Sequence, residues 1–232
     1  MAKGGIGGIG ALATPILALV MSPVAAAAVL LPLLISQDII SVWAFRRSWN
    51  RTIVGWMLPG ALAGVFSGWA LATWLSVGGV MAALGGISVL FGAYRLYVDN
   101  RAKPPLPSTL PDWLGIPFGW LAGFTSQIAH AGGPPFQMWV LPKRLAPVEF
   151  AGTSAVLFTL INWAKVPAYL ALGQFHRDTL LLSLAMLPVA TVSTLVVVRI
   201  IRHLQGRIFY AMVNILLVLL GAKLLAEGFS LA

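Results

Sequence analysis

The residues able to do chemistry in this 232-residue chain are few, and several stand where charge is costly. Lys165 falls well inside an apolar segment running from Pro147 to Leu172, with Asn162 three positions before it, so the two share one helical face. An ammonium group at mid-membrane depth costs about 2.5–3.5 kcal/mol on insertion scales, so it must turn inward, where it attracts an anion. The alternative is a lysine that snorkels along a tilted helix to the interface. Gln37 and Asp38 stand inside a second apolar segment, Val24 to Phe45. A carboxylate repels an anion, so Asp38 suits a proton carrier or a partner to a lysine. A structural ion pair with Arg46, Arg47 or Lys165 is the plainer reading. His130 is either a titrating group facing a cavity or a neutral imidazole bonded to a freed carbonyl. Thr125, Ser126 and Gln127 precede it and offer neutral donors to an anion, unless they bond back to their own helix. Gln137, Thr153 and Ser154 are further neutral donors.

These groups need an element to hold them, and the most unusual one is Trp113 to Pro142. Its centre reads Gly123-Phe124-Thr125-Ser126-Gln127-Ile128-Ala129-His130-Ala131-Gly132-Gly133-Pro134-Pro135. Hydrocarbon tolerates interrupted backbone only where protein or a water-filled cavity satisfies the freed amides and carbonyls, so this break predicts an internal site. Gly132 and Gly133 before two prolines would open a helix N-terminus, whose free N–H groups and dipole favour an anion. Glycine that merely lets helices approach closely is the competing reading. A second glycine-rich stretch, Lys3-Gly4-Gly5 and the glycines that follow, opens the chain and adds another cation beside a break.

Composition bounds the rest. The chain is 59% hydrophobic and 9% charged, with a mean hydropathy of +0.91, far outside the range of a soluble domain. We expect an all-α polytopic membrane helix bundle of about seven to eight spanning segments, forming one transmembrane domain over residues 1–232 in a lipid bilayer. The net charge of +9 sits in short clusters between apolar runs rather than along a polar face, so nucleic acid is not the expected partner. The absence of cysteine excludes disulfides and thiolate chemistry. The 3 histidines and 6 carboxylates are scattered. With no HExxH, no acidic cluster and no P-loop, we expect no catalytic residues, no metal and no cofactor. No secretory signal pattern precedes the first apolar run.

In chain order, apolar segments run from Ala11 to Met21, Val24 to Phe45, Ile53 to Leu75 and Val77 to Val98. The broken region, Pro147 to Leu172, Thr179 to Ile200 and Ile208 to Leu225 follow. The linker 99–112, stiffened by Pro104, Pro105, Pro107 and Pro111, separates halves of about 1–98 and 113–232. A weak repeat relates them, with Asp38 falling on Asn162 and Leu58-Pro59 on Leu187-Pro188. The basic loops Arg46–Arg51 and Arg199–Arg207 fall on one side only if the second half is inverted. That inversion requires the broken glycine-rich segments to enter and return as re-entrant hairpins, as in transporters built of two inverted repeats. The second half has an apolar arm, Trp113 to Ala129, before its break, whereas only Met1 and Ala2 precede Lys3, so a further apolar arm upstream of Met1 is expected.

Lys3-Gly4-Gly5 with its glycines, the run Ala129 to Pro135, and Gly152-Thr153-Ser154 with Asn162 and Lys165 together resemble the TauE/SafE sulfite exporter family, also called toluene sulfonate uptake permeases. The resemblance extends over nearly the whole chain. It implies a bacterial inner-membrane carrier for sulfite, organosulfonates or related small anions, with possible coupling to protons. On that reading the substrate-binding set is Lys3, Gly4, Gly5, Gln37, Asp38, Ser126, Gln127, His130, Gly132, Gly133, Thr153, Ser154, Asn162 and Lys165. The other classes weighed are an intramembrane enzyme using His130 and Asp38, and a non-transporting membrane assembly subunit.

Overall fold

The computed structural model describes residues 23–71, 76–99, 108, 110–171 and 175–230. They form eight α-helices and no strand: α1 (Pro23–Phe45), α2 (Arg51–Ala70), α3 (Val77–Asp99), α4 (Gly115–Ala129), α5 (Gly133–Val140), α6 (Pro147–Ala171), α7 (Arg177–His203) and α8 (Gly206–Ser230). Among the described residues five helices are long and apolar enough to cross a membrane, and Val29–Phe45 of α1 is a shorter apolar helix. Large apolar side chains cover the outside: Leu184 is 65% exposed and Val189 67%. Such a surface is stable only against lipid.

Local chemistry explains where these helices begin and end. Asn50 caps α2, its Oδ1 accepting from the Ile53 amide at 3.0 Å, so the helix starts earlier than Ile53. The final turns of α8 continue past Leu225 because Lys223 and Glu227, four residues apart, pair at 2.6 Å. Pro32, Pro59, Pro167 and Pro188 all lie inside helices, which packed membrane helices tolerate.

Polar contacts knit one end of the bundle together. The Arg202 guanidinium donates to Ala44 O at 2.7 Å, joining the end of α7 to the end of α1. The Asn50 amide donates to Thr153 Oγ1 at 2.9 Å, joining the start of α2 to the start of α6. Tyr210 OH donates to Leu145 O at 2.6 Å, and Asp99 at the end of α3 pairs with Arg144. This end carries Arg46, Arg47, Arg51, Lys143, Arg144, Arg202 and Arg207, and is the basic face below. Helices α1 and α3 run toward it and α2 away from it, whereas α6 and α8 run away from it and α7 toward it. The three long helices after the break are therefore reversed relative to the three before it.

The broken segment enters and returns on that same face. Ser108 N donates to Pro142 O at 2.9 Å, and Lys143 Nζ bonds Asp112 Oδ1 at 2.8 Å. Both pairs join the entry to α4 with the exit from α5, so the two form a re-entrant hairpin. Its first arm is held by backbone-to-backbone packing. Gly60 and Gly64 of α2 face the Ile116 and Trp120 carbonyls, and Gly119 and Gly123 of α4 face those of Met57 and Ala61. A Cβ at any of the four would overlap the facing carbonyl, so both helices need glycine every fourth residue. Helices α3 and α8 pair in the same way through Gly85 and Gly221.

Candidate functional site

His130 ends α4 with φ +51°, one of two non-glycine residues at positive φ among the described residues. Its amide bonds Ser126 O at 3.2 Å and that of Ala131 bonds Thr125 O at 3.2 Å, a nested pair that closes the helix one residue wider than a Schellman turn does. Thr125 Oγ1 donates to Leu121 O at 2.7 Å and to Ala131 O at 3.1 Å. Its hydroxyl therefore repairs the break instead of facing a ligand. After the turn, Gly132 has no room for a side chain: a Cβ there would come within 2.5 Å of Ala122 O and 2.9 Å of Phe158. Gly133, Pro134 and Pro135 are buried at the start of α5. The prolines carry no amide hydrogen, so the expected amide cradle has few donors in that turn.

The buried amine of Lys165 reaches this break from α6. It is 0% exposed; Nζ donates to Ser126 O at 2.6 Å and lies 3.3 Å from His130 Nδ1. Ser126 thus contributes a backbone carbonyl that already accepts from His130. With Lys165 as ammonium, Nδ1 of the imidazole accepts, which leaves the ring proton on Nε2, 3.3 Å from Tyr169 OH. Both 3.3 Å contacts are long for hydrogen bonds and can exchange for a better acceptor. Tyr169 was not among the candidates. The signal for it was present: Asn162, Lys165 and Tyr169 stand at i, i+3 and i+7 on one helix.

One turn before Lys165, Asn162 Nδ2 donates to Asp38 Oδ2 at 2.6 Å. Both residues are buried, at 1% and 0% exposure, and they join α1 to α6. Gln37 points to another neighbour, its amide 3.5 Å from Ala190 O on α7, the outer limit of a hydrogen bond. Asp38, Asn162, Lys165, His130, Ser126 and Tyr169 therefore form one connected interior stretch.

Other candidates lie elsewhere. The Thr153 hydroxyl donates to Glu149 O and accepts from Asn50, serving the basic-face junction. Ser154 is buried beside it in the chain, eight residues from Asn162 and so about 12 Å along the helix. Gln127 turns toward α2, where a Cβ on Gly68 would lie 3.1 Å from its own Cβ. Gln137 is buried on α5, and neither of its amide atoms has a partner among the described residues. Lys3, Gly4 and Gly5 lie outside the described residues.

A second ionic cluster was missed altogether. Asp99 pairs with Arg95 at 3.2 Å and with Arg144, and accepts from Asn214 Nδ2 at 2.9 Å. The i,i+4 spacing of Arg95 and Asp99 was its signal. Two lateral cavities of about 350 and 450 Å³ flank α6. Their walls, from Leu62 and Phe66 to Trp163 and Leu170, are apolar, so they face lipid and do not hold the polar stretch.

Comparison with known proteins agrees with this architecture. No curated protein and no solved structure matches the chain. The family model for Sulfite exporter TauE/SafE matches residues 1–224, nearly the entire length. A glycine-broken helical bundle in a membrane, with a lysine buried at its break, is thus the form taken here by a chain that belongs to the sulfite exporter TauE/SafE family.

Proposed function

We propose that this protein is a secondary transporter that moves a small sulfur-containing anion, sulfite or a simple sulfonate, by alternating access between its two reversed halves. The observation that carries this reading is Lys165, a fully buried amine whose Nζ donates to the Ser126 carbonyl where the re-entrant hairpin turns. A cation at that depth costs several kcal/mol unless its surroundings compensate it, which favours a functional site. An anion arriving there gains a charge-assisted bond to Nζ, and the long His130 contact yields first because it is the weaker of the two. Asp38 and His130 are the members that exchange protons, and Lys3-Gly4-Gly5 supplies the opposing half-site from the first repeat. The basic face is cytoplasmic in a bacterial inner membrane, because short cytoplasmic loops are the ones enriched in Lys and Arg.

Flux of labelled sulfite and methanesulfonate into proteoliposomes, at both directions of the pH gradient, tests the proposal. Uptake above empty vesicles that disappears in Lys165→Met supports it. Absence of flux for every oxyanion tried, with correctly folded protein, rejects the substrate class.

A further inference from the structure

We infer that the Ser41 hydroxyl is a second anion-binding group, meeting the sulfur oxyanion on the basic-face side of the Asp38–Asn162 pair once it has left Lys165 on the other side. The inference rests on the transport reading above and names a residue absent from the candidate set.

Ser41 is 0% exposed, and among the described residues its Oγ has no hydrogen-bond partner. Six other intrahelical hydroxyls behave differently. Ser88, Thr125, Thr153, Thr159, Ser183 and Thr194 each donate to the carbonyl four residues back, as membrane helices usually arrange. Ser41 has the same option at Gln37 O and does not take it. An unsatisfied buried hydroxyl is costly, and such orphans call for an explanation in function.

Its surroundings indicate what the hydroxyl awaits. Asp38, Ser41 and Phe45 lie on one face of α1, at i, i+3 and i+7. Asp38 bonds Asn162, and the Phe45 Cβ lies 3.1 Å from where Gly152 would carry its own. Ser41 therefore faces α6 between Gly152 and Asn162, inside the seam. Lys165 stands three residues beyond Asn162 on α6, and Ser41 three residues beyond Asp38 on α1. Because the two helices run in opposite directions, these equal steps lead to opposite sides of the bonded pair. An oxyanion leaving Lys165 toward the basic face must pass Asp38–Asn162 while Asp38 holds the proton assigned to it above, because an ionised carboxylate would repel it, and the hydroxyl is then the donor that meets it. A neutral donor suits an exit position, since it recognises oxyanion oxygens without the grip of a full charge.

The chain contains no cysteine, so Ser41→Cys carries a single thiol. We would reconstitute the full chain in oriented proteoliposomes and apply a membrane-impermeant anionic thiosulfonate reagent to each face, with methanesulfonate as the competing anion. The expected result is modification from the basic face only, slowed severalfold by methanesulfonate. In parallel, Ser41→Ala should raise KM for methanesulfonate presented at that face about tenfold, the loss of one hydrogen bond to a charged ligand. KM at the other face stays near native, and Ser41→Thr, which keeps the hydroxyl, restores it. A thiol that reacts only after denaturation, or native KM at both faces in Ser41→Ala, overturns the inference. If Lys165→Met abolishes flux while Ser41→Ala is native, only the role of Ser41 fails; if Lys165→Met also keeps native flux, the transport reading fails first.

Discussion

Asn162 Nδ2 donates to Asp38 Oδ2 at 2.6 Å across 124 positions of chain, joining α6 to α1, two helices that run in opposite directions. Both residues are buried, and the bond is charge-assisted when Asp38 is ionised.

Removing that charge at constant volume tests the pair. Asp38→Asn should lower stability by about 1–2 kcal/mol, read as a reduced melting temperature in detergent. It should also abolish any dependence of flux on the pH gradient if Asp38 carries the proton. Retained coupling in a folded Asp38→Asn protein assigns the proton elsewhere.

Lys165→Met should lower the rate of anion uptake at least tenfold while leaving the thermal midpoint unchanged or raised, because the cost of a buried charge disappears with it. Lys165→Arg should not rescue, since the larger, planar guanidinium does not fit the fully buried space that Nζ occupies between Ser126 O and His130. Native uptake by either variant counts against a substrate site at this amine.

His130 holds a left-handed backbone, which costs a non-glycine residue about 1 kcal/mol. His130→Gly should therefore fold at least as well as the native chain while losing transport. His130→Val should lose both, because a β-branched residue fits positive φ worst. Melting curves of the two variants, measured beside flux, separate backbone from side-chain roles.

Gly119→Ala places a methyl group against the Met57 carbonyl. The α2–α4 contact has to separate, at about 1–3 kcal/mol or more. The expected readout is a lowered melting temperature, with Gly55→Ala as the control, since a Cβ there meets nothing within 4 Å.

Asp99→Asn should destabilise the protein by about 2 kcal/mol, because Arg95 and Arg144 are then left mostly buried without their shared carboxylate. Arg95→Met combined with Asp99→Leu should recover much of that loss. Thermal denaturation of the single and double variants measures the difference.

Much of this was readable in advance, and the reasons it was or was not are physical. The break at His130–Gly133 was visible because lipid forbids loose backbone, and reversal of the halves was visible because loop charge reports sidedness. The Asp38–Asn162 bond was not among the pairings expected for Asp38, which were with Arg46, Arg47 or Lys165. The glycine ladders at Gly60-Gly64-Gly68 and Gly115-Gly119-Gly123 carried a four-residue period that predicts close packing. Two outcomes were not accessible. Whether the Thr125 hydroxyl faces a ligand or its own helix depends on which carbonyls the turn frees. That Lys165 meets the Ser126 main-chain oxygen beside His130 depends on how far the hairpin penetrates; neither outcome is written in residue type.

The glycine contacts divide the molecule mechanically. Where α2 and α4 touch backbone to backbone, and α3 and α8 likewise, no side chain is available to slide or re-pack, so each pair moves as one stiff plank. The α1–α6 seam carries polar groups in its interior, the Asn162–Asp38 bond among them, and such contacts can exchange partners. In the transport cycle proposed above, stiff planks meeting at such a joint would need to break little in order to turn inside out.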